Sequence, residues 1–209
     1  MLKYIDEIKQ VGFDKDLNYI TNKLPENKEI CEDILKKLNN ETVNIKEDNG
    51  KEASLYIVAT NSIIIANIKD SFTRIQTIAH ECIHSTQDKI LLWFNFLFSN
   101  VYMLFFAVIT ILSLLNKTTN NWMWAAVLAV FGLIFYGVRS YLEMDAMTKA
   151  RYVAHEYLQE KKGVLTQEEI DLIVSKYDFI NNRGIKLTMF WLLWKCIFKI
   201  IIFLIACAI

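Results

Sequence analysis

The chain has 209 residues, 54% of them hydrophobic, with a mean hydropathy of +0.24. That is too apolar for an ordinary soluble domain and too short for a large multidomain protein, so a membrane class is the first expectation. Charges balance at 23 basic and 23 acidic residues, which leaves no strongly basic surface for a nucleic-acid partner.

Met1-Leu2-Lys3-Tyr4-Ile5-Asp6-Glu7-Ile8 lacks a cationic region followed by an apolar run, so no signal peptide is expected. Residues 1–41 read as short amphipathic helices. Ile5, Ile8 and Val11 recur at helical spacing, Ile30, Ile34, Leu35 and Leu38 do so more clearly, and Leu24-Pro25-Glu26-Asn27 separates the two groups. A second segment, 42–89, opens with a change of period. Val43 and Ile45 alternate, Asp48-Asn49-Gly50 signals a turn, and Ser54 to Ala59 and Ser62 to Asn67 are β-rich runs joined at Thr60-Asn61. A small antiparallel meander is expected. Such a sheet either only covers a neighbouring helix or offers an edge to which an extended peptide adds as a strand.

Asp70 or Ser71 is placed to cap a helix starting near Phe72, with Ile75, Ile78, Ala79, Cys82 and Ile83 on its apolar side and Thr73, Thr77, His80, His84 and Gln87 in a polar stripe. Within it, Ala79-His80-Glu81-Cys82-Ile83-His84-Ser85-Thr86-Gln87 is the one place where spacing names a chemistry. Histidines four apart project from one face of a helix and can hold one metal ion. The alternative is a pair of hydrogen-bonded helix histidines. In an H-E-x-x-H site the glutamate, here Glu81, takes a proton from the activated water and passes it to the leaving amine. Cys31, Cys82, Cys196 and Cys207 form neither a C-x-x-C pair nor a disulfide framework, which fits a reducing, cytoplasm-facing site.

From Ile90 to Leu115 the chain is almost continuously apolar, with Trp93 near one end and Asn95 and Asn100 as exceptions. A polar turn, Asn116-Lys117-Thr118-Thr119-Asn120-Asn121, leads to Trp122 and Trp124 and a second apolar run ending at Val138. Segment 90–138 is therefore a transmembrane hairpin, with Gly132 and Gly137 placed to allow close packing. In segment 139–184 the helical pattern continues from Arg139 to about Glu160 and ends at Gly163, and Thr166-Gln167-Glu168-Glu169 starts a further short helix with a capping box. Segment 185–209 is apolar again, a transmembrane or interfacial helix, with a third span the favoured reading. Lys195 and Lys199 interrupt one of its faces at a cost. They snorkel, pair with an acidic group of the bundle, or mark an interfacial helix followed by a short insertion.

A catalytic zinc site has three protein ligands and an open position. Glu143 is the expected third. His84 lies about 10 Å of helix before the apolar run that begins at Leu91, and Glu143 lies about 6–8 Å after Val138, so the hairpin brings both to one depth at the same membrane face. Asp145 is the alternative ligand, or a carboxylate that orients a histidine through its other ring nitrogen. Gln87, on the histidine stripe, belongs with it among the supporting groups. His155 is the only other histidine, about three helical turns from Glu143. It is a replacement ligand, a donor to the developing oxyanion or a surface imidazole; Lys149, Arg151 and Tyr152 are further candidates for the oxyanion.

The run His80-Glu81-Cys82-Ile83-His84-Ser85-Thr86-Gln87, two membrane spans and Glu143-Met144-Asp145-Ala146 resemble the membrane-embedded gluzincin peptidases, particularly the YugP-type neutral zinc metallopeptidases, over roughly residues 54–160. The layout is also similar to the HtpX and CAAX-processing proteases. Ile83 stands where the YugP-type pattern commonly has glycine, Met147 and Lys149 where it has serine and arginine, and Met147 where the HtpX-like pattern has aspartate. The resemblance implies one zinc ion per chain on His80, His84 and Glu143, with Glu81 as general base. The expected fold is mainly α: a membrane protein with a zincin-like helical core, a small antiparallel β meander and two or three transmembrane helices. The expected function is that of a zinc metalloendopeptidase in a bacterial cell membrane, cleaving peptides or membrane-associated and unfolded proteins near the lipid surface. Arg74, Lys89, Arg139, Lys149 and Arg151 flank the hairpin while Lys117 stands alone in its turn, which turns the site to the cytoplasm. The rivals are a non-catalytic membrane scaffold or regulator retaining a metal site, and a metal-sensing or transport component. The near absence of ionisable residues from the hairpin spans disfavours the latter.

Overall fold

The computed structural model describes residues 14–208 apart from residue 52, and the expected helix through Ile5, Ile8 and Val11 lies outside the described residues. The chain forms two compact units. One comprises the residues up to Lys89 with Met144–Ile185, the other Ile90–Glu143 with Lys186–Ile209.

In the first unit, α1 (Lys15–Thr21) starts where the Asp14 carboxylate accepts from the backbone N–H groups of Asp16 and Leu17, satisfying donors that a helix start leaves bare. α2 (Asn27–Lys37) follows the break at Pro25 and turns Ile30, Cys31, Ile34 and Leu35 inward. Then come β1 (Asn44–Asp48), β2 (Leu55–Ile57), a 3₁₀ turn at Val58–Thr60 and β3 (Ser62–Ala66). The sheet is mixed, not the expected antiparallel meander: its order is β1-β3-β2, with β1 parallel to β3 and β2 antiparallel to it. Burial explains the correction. β3 carries Ile63, Ile64 and Ile65 and is buried along most of its length, so it takes the centre; β1, Asn-Ile-Lys-Glu-Asp, is mostly exposed and belongs at an edge. The turn at Asp48-Asn49-Gly50 does form, with the Gly50 N–H on Asp48 Oδ1 at 3.0 Å, but it leads to the far edge of the sheet.

α3 (Arg74–Thr86) carries the histidines. It begins slightly later than expected, with Thr73 at its N-cap in place of Asp70 or Ser71 and no side-chain cap bond. Arg74 secures this end instead. Its fully buried guanidinium donates to the carbonyls of Thr21 (2.7 Å), Leu24 (3.0 Å) and Pro25 (2.8 Å) and to Asn27 Oδ1 (2.9 Å), stitching α3 to the α1–α2 connection. A charge used in this way faces neither water nor lipid, so Arg74 drops out of the basic residues that would orient the hairpin. Ile75, Ile78, Ala79 and Cys82 join the core with Ile34, Ile63, Phe72, Ala154 and Tyr177, and the thiols of Cys31 and Cys82 meet there at 3.6 Å, unbridged.

The second unit is built from α4 (Lys89–Leu114), α5 (Asn121–Glu160) and α6 (Gln167–Ala208), three helices long and apolar enough to cross a membrane. Only 17% to 22% of their most apolar stretches is buried, so most of each faces outward, as a lipid-solvated surface requires. The chain is a membrane protein. α6 departs from expectation: the short helix after Thr166 and the last apolar run are one 42-residue helix. Its capping box forms as read, with Glu169 N–H on Thr166 Oγ1 at 3.2 Å and Thr166 N–H on Glu169 Oε2 at 2.9 Å. α5 and α6 each continue from one unit into the other.

Inside the second unit, Tyr102, Leu128, Cys196 and Phe203 form a buried core. Gly132 is a packing glycine, since a Cβ there would lie 3.0 Å from Tyr102 Oη and 3.2 Å from Cys196 Cβ; Gly137 has open space and is not. Lys199 Nζ lies 3.9 Å from the Tyr102 ring centroid and 5.7 Å from that of Phe135. A desolvated cation–π contact contributes about 2 kcal/mol, against a cost of about 3 kcal/mol for a lysine at the centre of a membrane helix. The rings offset most of that cost for Lys199.

Candidate metal centre

His80 and His84 stand one turn apart on α3, their rings nearly perpendicular with centroids 4.6 Å apart and their Nε2 atoms 3.1 Å apart. His84 is buried, with 7% of its surface exposed. The helix ends at Thr86, and Gln87 takes an extended conformation that swings its side chain back along the histidine face. Gln87 Oε1 then lies 2.8 Å from His84 Nδ1, while Gln87 Nε2 donates to Asp145 Oδ2 at 2.9 Å.

These two bonds fix a proton. A carboxylate accepts only, so the Gln87 amide turns its NH₂ to Asp145 and its carbonyl to His84; His84 Nδ1 is therefore the donor, and its Nε2 is the nitrogen turned to His80. The scheme requires Asp145 to be ionised. Burial pulls its pKa up, but hydrogen bonds from Gln87 and Lys149 and the positive charge of Lys149, with a smaller contribution from His84, outweigh that and hold it below the usual value. Asp145 reaches the histidine through Gln87, one bond further away than a carboxylate in direct contact. Replacing Gln87 with leucine is expected to weaken zinc binding about 10–100-fold, the usual effect of losing a group that orients a ligand. Competition with a zinc-chelating dye measures it, and unaltered affinity would show that Gln87 does not set the ring's tautomer.

Glu143 is buried on α5, two residues before Asp145, and its carboxylate is paired with Arg139 one turn earlier. His80, His84 and Glu143 each offer one ligand atom, and these atoms all lie within 4.8 Å of one another. The donor set fits a zinc ion. Tetrahedral zinc with N ligands at about 2.0–2.1 Å puts two such nitrogens about 3.3 Å apart, close to the 3.1 Å between these Nε2 atoms. Two imidazoles and one carboxylate are nitrogen and oxygen donors that suit this metal.

Glu81 is turned to the sheet. Its Oε2 accepts from the backbone N–H of Tyr56 at 2.7 Å, a group that points off the free edge of β2. The Tyr56 ring is held in turn: its hydroxyl donates to Asn61 Oδ1 at 2.9 Å and accepts from Lys89 Nζ at 2.9 Å, and that ammonium lies 5.2 Å from the ring centroid. Tyr56 is a site residue that the sequence analysis does not single out. It acts through its backbone, 25 positions before Glu81, and no side-chain pattern encodes such a contact.

The remaining candidates have other partners. Lys149 Nζ pairs with Asp145 Oδ1 at 2.7 Å and so borders the cluster. Arg151 pairs with Asp178 at 3.4 Å and donates to the Tyr152 hydroxyl at 2.7 Å. His155 is exposed, its Nε2 lying 3.1 Å from Gln159 Nε2. No protein-family model matches the chain, and comparison with curated proteins and with solved structures likewise gives no match.

Proposed function

We propose that the chain is a membrane-bound zinc metalloendopeptidase of the gluzincin type, with a zincin-like core and its site at the cytoplasmic bilayer surface. The observation that carries this reading is the convergence of His80, His84 and Glu143, with the His84 ring held through Nδ1 by the Asp145–Gln87 pair. His80, His84 and Glu143 would hold the ion. When bound, zinc supplies Lewis-acid polarisation of a carbonyl and lowers the pKa of a water molecule.

This chain's own residues do the rest. Glu81, next to the first ligand, takes the proton as the water oxygen bonds to the scissile carbonyl carbon. It then gives that proton to the amine as the C–N bond breaks. β2 is a half-buried edge strand, and that edge suits an extended peptide adding as a strand, next to the amide that Glu81 already holds. Lys89, Arg139, Lys149 and Arg151, against Lys117 alone in the hairpin turn, support the cytoplasmic orientation once Arg74 is set aside. Substrates would be membrane-associated or unfolded proteins reaching that surface.

One observation favours a second reading, a non-catalytic scaffold keeping a metal site: the Glu81 carboxylate is buried and committed to Tyr56. Turnover separates the two. The zinc-loaded full chain in phosphatidylcholine nanodiscs is expected to cleave fluorescently quenched casein, to stop on addition of phenanthroline and to recover with excess zinc. A folded, zinc-loaded chain that cleaves no unfolded protein would establish the scaffold.

A further inference from the structure

Lys195 and Lys199 lie four residues apart on α6, in a bundle with no acidic residue in its spans. None occurs between Asp88 and Glu143, and none after Asp178. Among the described residues neither lysine has an ion-pair partner. Pairing with an acid of the same bundle, one of the readings open from sequence, is thus closed to both.

Their depth follows from packing inside the second unit. Ser113 Oγ donates to Cys207 Sγ at 3.0 Å, and Tyr102 and Cys196 both meet Gly132, so α4 and α6 run parallel with Lys195 level with the middle of α4 and Lys199 about one turn beyond. Half the hydrocarbon thickness is about 15 Å, longer than a lysine side chain. Lys199 in any case does not snorkel, because its ammonium sits over the Tyr102 ring in the bundle. Lys195 is different. It is exposed, and Trp191, Trp194 and Phe198 around it on the same stripe are 46%, 41% and 51% exposed. An outward aromatic stripe thus carries a cation at mid-depth, where lipid tails offer no counter-charge.

We infer that this face of α6 is a docking surface for a transmembrane helix of another membrane protein that carries an aspartate or glutamate near its centre. Lys195 makes the ion pair, with Lys199 behind it adding to the positive field, and Trp191, Trp194 and Phe198 pack along the incoming helix. A second copy of this chain does not fit, since its spans contain no acid to present. The surface is independent of the metal centre and of any peptidase activity.

The test uses the full chain, donor-labelled, in phosphatidylcholine vesicles, with acceptor-labelled synthetic leucine–alanine helices of about 20 residues bearing glutamate or leucine at the centre. Energy transfer is expected to report about tenfold tighter association of the glutamate helix, the size of one interhelical polar contact in lipid, and to lose that preference in Lys195→Met/Lys199→Met. Methionine keeps the length and packing of the stem. A charge exchange guards against a merely structural effect: Lys195→Glu/Lys199→Glu should prefer a lysine-centred helix. Equal binding of glutamate and leucine helices by the wild type, or an undiminished preference in the methionine variant, overturns the inference. So does transfer between labelled copies of the chain that the glutamate helix cannot displace, which would make the face a self-association surface. A preference abolished by phosphatidylglycerol in the vesicles would assign the lysines to lipid headgroups and overturn it as well.

Discussion

Glu81→Gln is expected to lower peptide hydrolysis about 10²–10⁴-fold, the usual worth of a positioned general base, while the zinc content stays at that of the wild type. The expectation rests on what the substitution leaves intact. Glu81 Oε2 accepts from Tyr56 N–H, and a glutamine carbonyl accepts the same bond with the same reach, so the junction between α3 and β2 persists. What disappears is the ability to take a proton, because an amide oxygen is far too weak a base. Turnover and metal content measured on one preparation separate the outcomes. Full activity with glutamine in place would refute the mechanism, and loss of zinc along with activity would make Glu81 a structural residue of the helix–sheet junction.

The histidine pair and its helix were legible because their information is local. A 3.6-residue period puts Ile75, Ile78, Ala79 and Cys82 on one side of α3 and His80 and His84 on another. Glu143 was legible for a different reason. Two apolar runs of membrane-spanning length joined by a short polar turn make a hairpin, and helical rise then fixes which residues return to the same depth. The grouping of Glu143 with the two histidines is what that counting anticipates.

Less legible were the features that depend on competition between distant segments. The order β1-β3-β2 follows from three isoleucines in β3 taking the sheet's centre, a ranking between strands that alternation within one strand does not express. The continuity of α6 was hidden by the polar stretch between Gln167 and Ile185, which reads as a separate helix although no proline interrupts it. Gln87 was legible as a polar neighbour only. Its function depends on leaving the helix one residue after Thr86 and meeting Asp145, which lies 58 positions away. Arg74 misleads in the same manner. By sequence it is a cation near a membrane hairpin, whereas its neighbours are four backbone and side-chain oxygens inside the core.

Removal of one ligand tests the cluster most directly. Structural zinc sites bind with about 10–16 kcal/mol shared over four ligands, so losing one ligand should cost about 2.5–4 kcal/mol, roughly 10²–10³-fold in affinity. His80→Ala and Glu143→Ala are both expected to fall by this amount, read as zinc per chain by mass spectrometry and as affinity against a competing chelator. His155→Ala should leave zinc binding unchanged, since that imidazole is exposed and engaged with Gln159. The Glu143 variant carries the most information because Asp145 lies one step away on the same helix. Its own ties, to Gln87 and Lys149, make it a support for His84 and predict that it does not replace Glu143. Glu143→Ala also frees Arg139, but that side chain is 38% exposed and returns to solvent with little consequence for the fold. A fall in zinc affinity there therefore reads as a lost ligand. Wild-type zinc in Glu143→Ala together with loss in His80→Ala would transfer the third position to Asp145 and require the Gln87 relay to rearrange, an outcome that Gln87→Leu in the same background would expose.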